Sequence, residues 1–480
     1  MHYHLIGICG TAMASLAGML KACGHTVTGS DQNVYPPMST QLENLGIRII
    51  NGYKAETADM PADVFVIGNA ISRGNPELEE VLNKRKNYRS MAEVIKEEFI
   101  RGKRSLVVAG THGKTTTTSL AAWTLEVGGF DPSFLVGGVV QNFRSSFRIT
   151  KSNHFVIEGD EYDTAYFDKK PKFMHYLPEI AIINNIEFDH ADIYRDLEEI
   201  KYQFSRLMNL VPGNGRLICG IDSEAVRDVL DSMRGKLYTQ IETFGLSDDA
   251  RWQARYIDFS EGKTRFTVFK DGHSWGEFET HLIGEFNVRN CLAVIIAADC
   301  WGVSRENIQM ALDTFESVKR RMEVRGEVNG ILVIDDFAHH PTAVEETLKA
   351  LRLKYEGRRL IAVFEPRSWS SRLAVFQHPY GKAFSYADYV IISGVYNTAK
   401  ASELGKVLDV EELTEDIRLQ GKPAFCLPDA DSIISHLSEE LLPGDVIAVM
   451  SNGAFGNIHE KLLTLLEKKF GQTNSGQAAS

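Results

Sequence analysis

The chain has 480 residues, a formal net charge of −12, 44% hydrophobic residues and 24% charged residues. That length predicts roughly three domains, and the interspersed charge argues against wholesale disorder. The acidic balance argues against a nucleic-acid binder. No apolar run approaches the ~18 residues of a membrane span, and six Cys without C-x-x-C spacing argue against a disulfide lattice or an obvious zinc site.

The N-terminus runs straight into a strand pattern without a secretory signal, so the expectation is a cytoplasmic protein with reduced thiols. Residues 3–9 read as an apolar strand, "GICGTAMASLAGMLKACG" opens a helix, and "HTVTGSD" reads as a second strand. "GIRIING", "ADVFVIGNAIS" and a helix-like "NPELEEVLNKR" follow. This alternation predicts a parallel sheet with helices on its faces, ending near Lys103. The first turn departs from G-x-G-x-x-G, because Ala12 stands where a Gly is needed and Cys9 interrupts the spacing. A diphosphate can still sit on this helix start. A hydride-transfer reading would leave the next domain unexplained.

The second domain opens with "LVVAGTHGKTTTTSLAAW". Strand, Gly-Lys-Thr and helix occur in phosphate-loop order, though the loop is shorter than G-x-x-x-x-G-K-[ST]. Gly110 and Gly113 let the backbone turn tightly and present N–H groups to an anion. Thr111, His112 and Thr116 complete that surface. Lys114 reaches β/γ-phosphate oxygens, and Thr115 offers a hydroxyl to Mg²⁺. In "VIEGDEYD", Glu158 follows a strand end, with Asp160, Glu161 and Asp163 behind it. A hard cation beside phosphates needs such carboxylate oxygens; a solvated acidic loop is the plainer alternative. His190, in "NNIEFDHADIY", is a candidate metal ligand or a structural loop residue. Residues 252–283 alternate around Gly-bearing turns, as antiparallel strands do. Asn287 and Asn290 share a helix face at i,i+3; they either read a base, hold a metal water or cap the helix.

Composition turns basic at "VKRRMEVR", with Arg320 and Arg321, which places a second boundary at 317/318. Beyond it, "GILVIDD", "RRLIAVFEP", "ADYVIISG" and "GDVIAVMSNG" read as buried strands of another open α/β unit. Asp336, His339 and His340 crowd at one strand end. Arg367 and Arg372 stand in "FEPRSWSSR", where guanidinium forks suit carboxylates. The tail 471–480 is small and polar and is expected to be disordered.

Taken in order, "GTHGKTTTT", "EGDEYD", "NIEFDH", the Asn-x-x-Asn helix start, "KRRME" and "DDFAHHP" resemble the Mur ligase family over nearly the whole chain. The resemblance implies an α/β fold of three domains. A Rossmann-like domain (1–103) would bind a UDP-sugar, a central P-loop ATPase-like domain (104–317) would bind ATP, and a Rossmann-like C-terminal domain (318–470) would bind the incoming amine. It implies ATP and Mg²⁺ as cofactors, and an ADP-forming ligase that activates a carboxylate as an acyl phosphate. Lys114 and Thr115 would hold ATP and Mg²⁺; Glu158 and His190 would hold metal. Asn287, Asn290, Arg320 and Arg321 would meet ATP, and Asp336 would contact nucleotide or orient the amine. Gly10, Thr11, Ser30, Asp31, Asn69 and Ser72 would lie near the UDP-sugar, and His339, His340, Arg367 and Arg372 near the amine substrate.

Two branches share "HHP" and the metal-region His. One adds L-alanine to UDP-N-acetylmuramate; the other attaches the murein tripeptide L-Ala-γ-D-Glu-meso-diaminopimelate. "GSDQNVYPPMSTQLE", "FDKKPKFMHY", "EPRSWSSRL" and "MSNGAFGNIH" are more similar to the tripeptide branch. Phe286 stands where the family usually has His, so stacking on adenine survives there but a hydrogen bond does not. Lys201 is too close to His190 to match the carbamylated Lys of other branches. A nucleotide-gated regulator and an NAD-dependent dehydrogenase each account for one domain only.

Overall fold

The computed structural model describes residues 1–35, 38–403 and 405–470; the tail expected to be disordered lies outside them. Three sheets follow one another along the chain. The first holds β1 (His2–Ile6), β2 (Thr26–Asp31), β3 (Arg48–Asn51), β4 (Val64–Ile67) and β5 (Tyr88–Ser90) in the order β3-β2-β1-β4-β5. Every pairing is parallel. The first strand ends at Ile6, short of the predicted residue 9. Gly7 takes a φ of +87° there, which L side chains rarely adopt, and the chain turns into the helix Thr11–Ala22.

The second sheet has ten strands: β6 (Arg104–Ala109), β7 (Ser133–Val140), β8 (Ser145–Arg148), β9 (His154–Gly159), β12 (Ile180–Ile183), β13 (Arg216–Gly220), β14 (Gln240–Gly245), β15 (Trp252–Ser260), β16 (Lys263–Lys270) and β17 (His273–Thr280). Their order is β17-β16-β15-β14-β13-β12-β6-β9-β7-β8. A small ribbon of β10 (Asp163–Ala165) and β11 (Asp168–Pro171) stands apart. The central strands are parallel and continuously apolar, as strands buried on both faces must be. β15 to β17 form the predicted antiparallel extension. On one face the helices Lys114–Val127 and Glu285–Cys300 pack together over a core that includes Val108, Leu120, Ile182 and Leu292.

The third sheet runs β18-β19-β23-β20-β21-β22, from β18 (Glu323–Val328), β19 (Ile331–Asp336), β20 (Leu360–Phe364), β21 (Tyr389–Ser393), β22 (Ala424–Leu427) and β23 (Val446–Met450). All pairs are parallel except the edge hairpin β18–β19. The first two units share one core, in which Leu16 and Val94 join Phe155 and Ile157. At that seam an added Cβ on Gly18 would overlap the Phe147 ring, so only Gly lets the helix approach β8. The chain enters the third unit along β7: Lys319 N–H donates to the Val139 carbonyl at 3.0 Å, and Val140 bridges Val318. That strap fixes where the arginines beyond it point. Among the described residues, no helix is long and apolar enough to cross a membrane, and all six cysteines are free thiols.

Candidate active site

β6 delivers the chain to Gly110, whose φ is +133°, and the loop ends at Gly113 with φ +82°. A Cβ on Gly110 would stand 3.0 Å from the Asn185 carbonyl oxygen. Gly113 is tighter, since its Cβ would overlap Asn290 Oδ1. The helix Lys114–Val127 begins at once, and its free N–H groups and positive end open into the cleft. Gly113→Ala is therefore expected to weaken ATP binding by at least ~10-fold, because the strained backbone costs about 1–3 kcal/mol before the Asn290 overlap is counted. Titration calorimetry with ATP on the folded variant checks this.

Lys114 Nζ lies 2.8 and 3.0 Å from the two Glu161 oxygens and also donates to the Gly110 carbonyl at 2.7 Å. Glu161 accepts from His190 Nε2 at 3.0 Å as well. Burial alone would raise the Glu161 carboxyl, but Lys114 and His190 outweigh it and hold it near 2. Conversely, burial would lower His190, and Glu161 and Asp189 lift it to about 9. His190 is held at a φ of +54°, a strained position for a non-glycine residue and common at functional sites.

Glu158 stands one residue before the end of β9 and is half-buried in the cleft. Oε1 accepts from the Thr115 hydroxyl at 2.8 Å and Oε2 from Gly137 N–H at 2.8 Å. Burial, then the neighbouring Asp160, pushes the Glu158 carboxyl up. A half-buried carboxylate beside a hydroxyl, with Lys114 only partly offsetting its burial, is a donor set that suits an oxygen-seeking dication. Of the three proposed metal ligands, Thr115 and Glu158 touch; His190 bonds Glu161 instead.

Asn290 donates to Asn287 Oδ1 at 3.2 Å and accepts from the Thr117 hydroxyl at 3.1 Å. The helix is capped by Gly284 with no side-chain bond, so the pair does not serve as a cap. It ties the Glu285 helix to the helix that follows the phosphate loop. From the third unit, Arg321 reaches Thr115 Oγ1 at 3.3 Å. Arg320 instead turns inward to Asp335 at 3.2 Å and the Gly453 carbonyl at 2.9 Å. Asp336 is buried and accepts from Met322 N–H, Ala338 N–H and the Thr347 hydroxyl. Burial raises its carboxyl, and its observed work is to shape the turn that carries Arg321 and His339. His340 caps the helix Pro341–Lys354.

Gly113, Lys114, Thr115, Glu158, Glu161, His190, Asn287, Asn290, Arg320, Arg321, Asp336, His339 and His340 line one cleft of about 2560 Å³ between the three units, and Gly110 does not. Its lining also includes Thr11, Thr111, His112, Thr116, Arg367 and Arg372, together with Phe286. Gly10, Ser30, Asp31, Asn69 and Ser72 do not line it. Asp31 accepts from Cys9 N–H at 2.9 Å and shapes the first turn, Ser30 is wholly buried, and Asn69 reaches Asp163 at 3.2 Å.

Family models match the chain in series: "Mur ligase family, catalytic domain" over 2–102, "Mur ligase middle domain" over 108–298 and "Mur ligase, glutamate ligase domain" over 320–453. The chain belongs to the Mur ligase family. It is thus an ATP-dependent, ADP-forming amide ligase. It is 43% identical, over 98% of its length and 99% of the relative's, to UDP-N-acetylmuramate–L-alanyl-γ-D-glutamyl-meso-2,6-diaminoheptandioate ligase of Escherichia coli. A relative named UDP-N-acetylmuramate–L-alanine ligase, from Desulforapulum autotrophicum, is 34% identical over 97% of this chain and 98% of its own. A solved murein peptide ligase from Psychrobacter arcticus superposes with a TM-score of 0.73 at 37% identity, covering 97% of this chain and 98% of that one.

The sequence of this ligase points to Arg367 and Arg372 but not to Trp369, Tyr396 and Lys400, which complete an aromatic and basic shelf on the third-unit wall of the cleft. The Arg367 guanidinium lies 4.0 Å over the Tyr396 ring, Arg372 lies 4.1 Å over Trp369, and Lys400 lies 5.0 Å from the same ring. Cations over ring faces are favoured electrostatically, and here the rings hold three positive groups toward the cleft. "VYNTAK" carried no spacing that would have announced this. Glu161, as the partner of Lys114, was the other omission.

Proposed function

We propose that this ligase joins the lactyl carboxylate of UDP-N-acetylmuramate to the L-alanyl amine of L-alanyl-γ-D-glutamyl-meso-diaminopimelate, as ATP becomes ADP and phosphate, in peptidoglycan recycling. The observation that carries the choice of amine is the higher identity to relatives named for the tripeptide, 43% and 40%, than to one named for L-alanine, 34%. The Arg367, Arg372 and Lys400 shelf supports it, because a tripeptide brings several carboxylates where L-alanine brings one. We place the domain limits at 1–103, 104–317 and 318–470, with UDP-sugar, ATP and peptide taken by the three in that order.

In this reading the helix end at Lys114 receives the phosphates, and Lys114 leaves Glu161 to meet the β- and γ-oxygens. Thr115 and Glu158 would hold Mg²⁺, which would supply positive charge beside the phosphoryl oxygens. Arg321 adds a fixed cation from the third domain, so the charged set is complete only when that domain is docked. Asn287 and Asn290 brace the loop. Transfer of the γ-phosphoryl group gives an acyl phosphate; the peptide amine attacks its carbonyl carbon and phosphate leaves. A closed cleft keeps water from that reactive mixed anhydride. His190 sits at the far side of Glu161, where it is placed to receive the Glu161 charge once Lys114 moves.

The test is phosphate release from ATP·Mg²⁺ and UDP-N-acetylmuramate with the tripeptide or L-alanine as amine. Release with the tripeptide, at least ~100-fold above that with L-alanine in kcat/KM, is expected, since loss of matched charge contacts costs a site several kcal/mol. Release with L-alanine alone would assign the chain to amino-acid addition instead.

A further inference from the structure

His112, in the phosphate loop, and His340, at the start of a third-unit helix, face one carboxylate, Glu187. His112 Nε2 lies 3.5 Å from Glu187 Oε2, and His340 Nδ1 lies 3.8 Å from the same oxygen. The donor atoms of all three lie within 4.8 Å of one another. The imidazole rings are 4.6 Å apart between centroids. His340 Nε2 lies 3.1 Å from the Phe188 carbonyl oxygen. A carbonyl only accepts, so Nε2 carries the proton and Nδ1 carries the lone pair, which accepts a hydrogen bond from Thr342 N–H at 3.3 Å that a cation would displace. His112 Nε2 is buried and has no hydrogen-bond partner. A lone-pair nitrogen, a carboxylate oxygen and an unpartnered ring nitrogen therefore converge with no cation of the protein between them.

We propose that His112, Glu187 and His340 bind a borderline divalent cation of the zinc class, at a site separate from the Thr115–Glu158 pair. Zinc bonds of about 2.0–2.1 Å set tetrahedral ligand–ligand edges of about 3.3–3.4 Å. Two edges observed here, 3.5 and 3.8 Å, are within half an ångström of that. The third, His112 to His340, is within 4.8 Å and spans the two units. Two imidazoles and one carboxylate select zinc, cobalt or nickel over magnesium, which takes oxygen donors.

The surrounding shell is also built. Metal-bound histidines commonly donate their other ring N–H to a backbone carbonyl, and bound carboxylates accept a further hydrogen bond. His340 does the first through Phe188. Glu187 does the second, accepting from the Thr342 hydroxyl at 2.6 Å. Three protein ligands leave a fourth position open to the cleft, which marks an exchangeable site rather than a closed structural one. The cation would staple the phosphate loop to the third unit. A plain His112–Glu187 ion pair is the reading it competes with.

Co²⁺ is the probe, because its visible absorption reports four-coordinate nitrogen ligation. The full chain is stripped with chelator, saturated with Mg²⁺ to fill oxygen-rich sites, and titrated with Co²⁺. One equivalent with intense visible bands is expected. His112→Ala and Glu187→Gln should each weaken binding by about 100-fold. Thr342→Val, which keeps all three ligands, should weaken it by ~10-fold, and it carries the test if either ligand variant fails to fold in metal-free melting. Co²⁺ should also raise the melting temperature of the parent but not of His112→Ala. Absence of bands, or the same titration in parent and variants, would overturn the site; the second result would put the cation at Glu158 and His190. Neither outcome bears on which amine the ligase uses.

Discussion

Lys114→Ala is expected to lower phosphate release by about 10³-fold, the range seen when one preorganised charge-stabilising donor is removed. In the structure Lys114 is not idle. Its ammonium is bound by both Glu161 oxygens and by the Gly110 and Thr111 carbonyls. It therefore waits a short swing from the helix end where phosphates would lie, already desolvated and charged. Burial works against that charge, and Glu161, then Asp160, keeps it. Lys114→Arg should recover little, because a planar fork cannot replace a compact ammonium in a loop this tight. The measurement is single-turnover phosphate release at saturating ATP. Turnover near the parent's would remove Lys114 from the mechanism and with it the phosphate-loop assignment. A side effect is expected too: Glu161 would lose its main partner inside the protein, so the variant should melt lower than the parent, and Glu161→Gln in the same background should restore part of that loss.

What was legible in the sequence follows from how far each interaction reaches along the chain. The phosphate loop was readable because strand, glycines, Lys-Thr and helix are contiguous, and the Asn287–Asn290 pair because three residues make one helical turn. The parallel strands were readable because burial on both faces makes them unbroken apolar runs. Contacts that close through the fold left no local trace. Lys114 meets Glu161 across 47 residues and Arg321 meets Thr115 across 206. "KRRME" marked a basic pair but not the division of labour within it: Arg321 faces the loop while Arg320 holds Asp335. The β7–β8 pair was missed because Gly137 and Gly138 interrupt its apolar run. Those glycines leave room for Glu158, since a Cβ on Gly137 would sit 3.1 Å from its Oε2. The edge strand β18 was missed because exposure on one side lets charged residues replace the apolar pattern. The Trp369, Tyr396 and Lys400 shelf required the 367–372 turns and the 396–400 loop to meet, which no spacing encodes.

Glu158→Gln is expected to lower turnover by about 10²–10³-fold and to raise the Mg²⁺ concentration needed for half-maximal rate by at least ~10-fold. The substitution keeps shape and lets the amide oxygen accept from Gly137 N–H, as the carboxylate does at 2.8 Å. What it removes is charge. Glu158 sits where burial and Asp160 oppose ionisation more than Lys114 and the neutral hydrogen bonds from Gly137 and Thr115 favour it. A protein that stations a carboxylate under those conditions gains from it only if a cation arrives with the substrate. Two consequences separate this role from a structural one. Because a poorly compensated charge is gone, Glu158→Gln should melt no lower than the parent without nucleotide. In the parent, ATP with Mg²⁺ should stabilise far more than ATP with chelator, and that difference should shrink in the variant. Melting curves with nucleotide, with and without Mg²⁺, read both effects. A variant that loses activity but keeps the full Mg²⁺-dependent stabilisation would show that Glu158 acts on the transferring group by some route other than holding the cation.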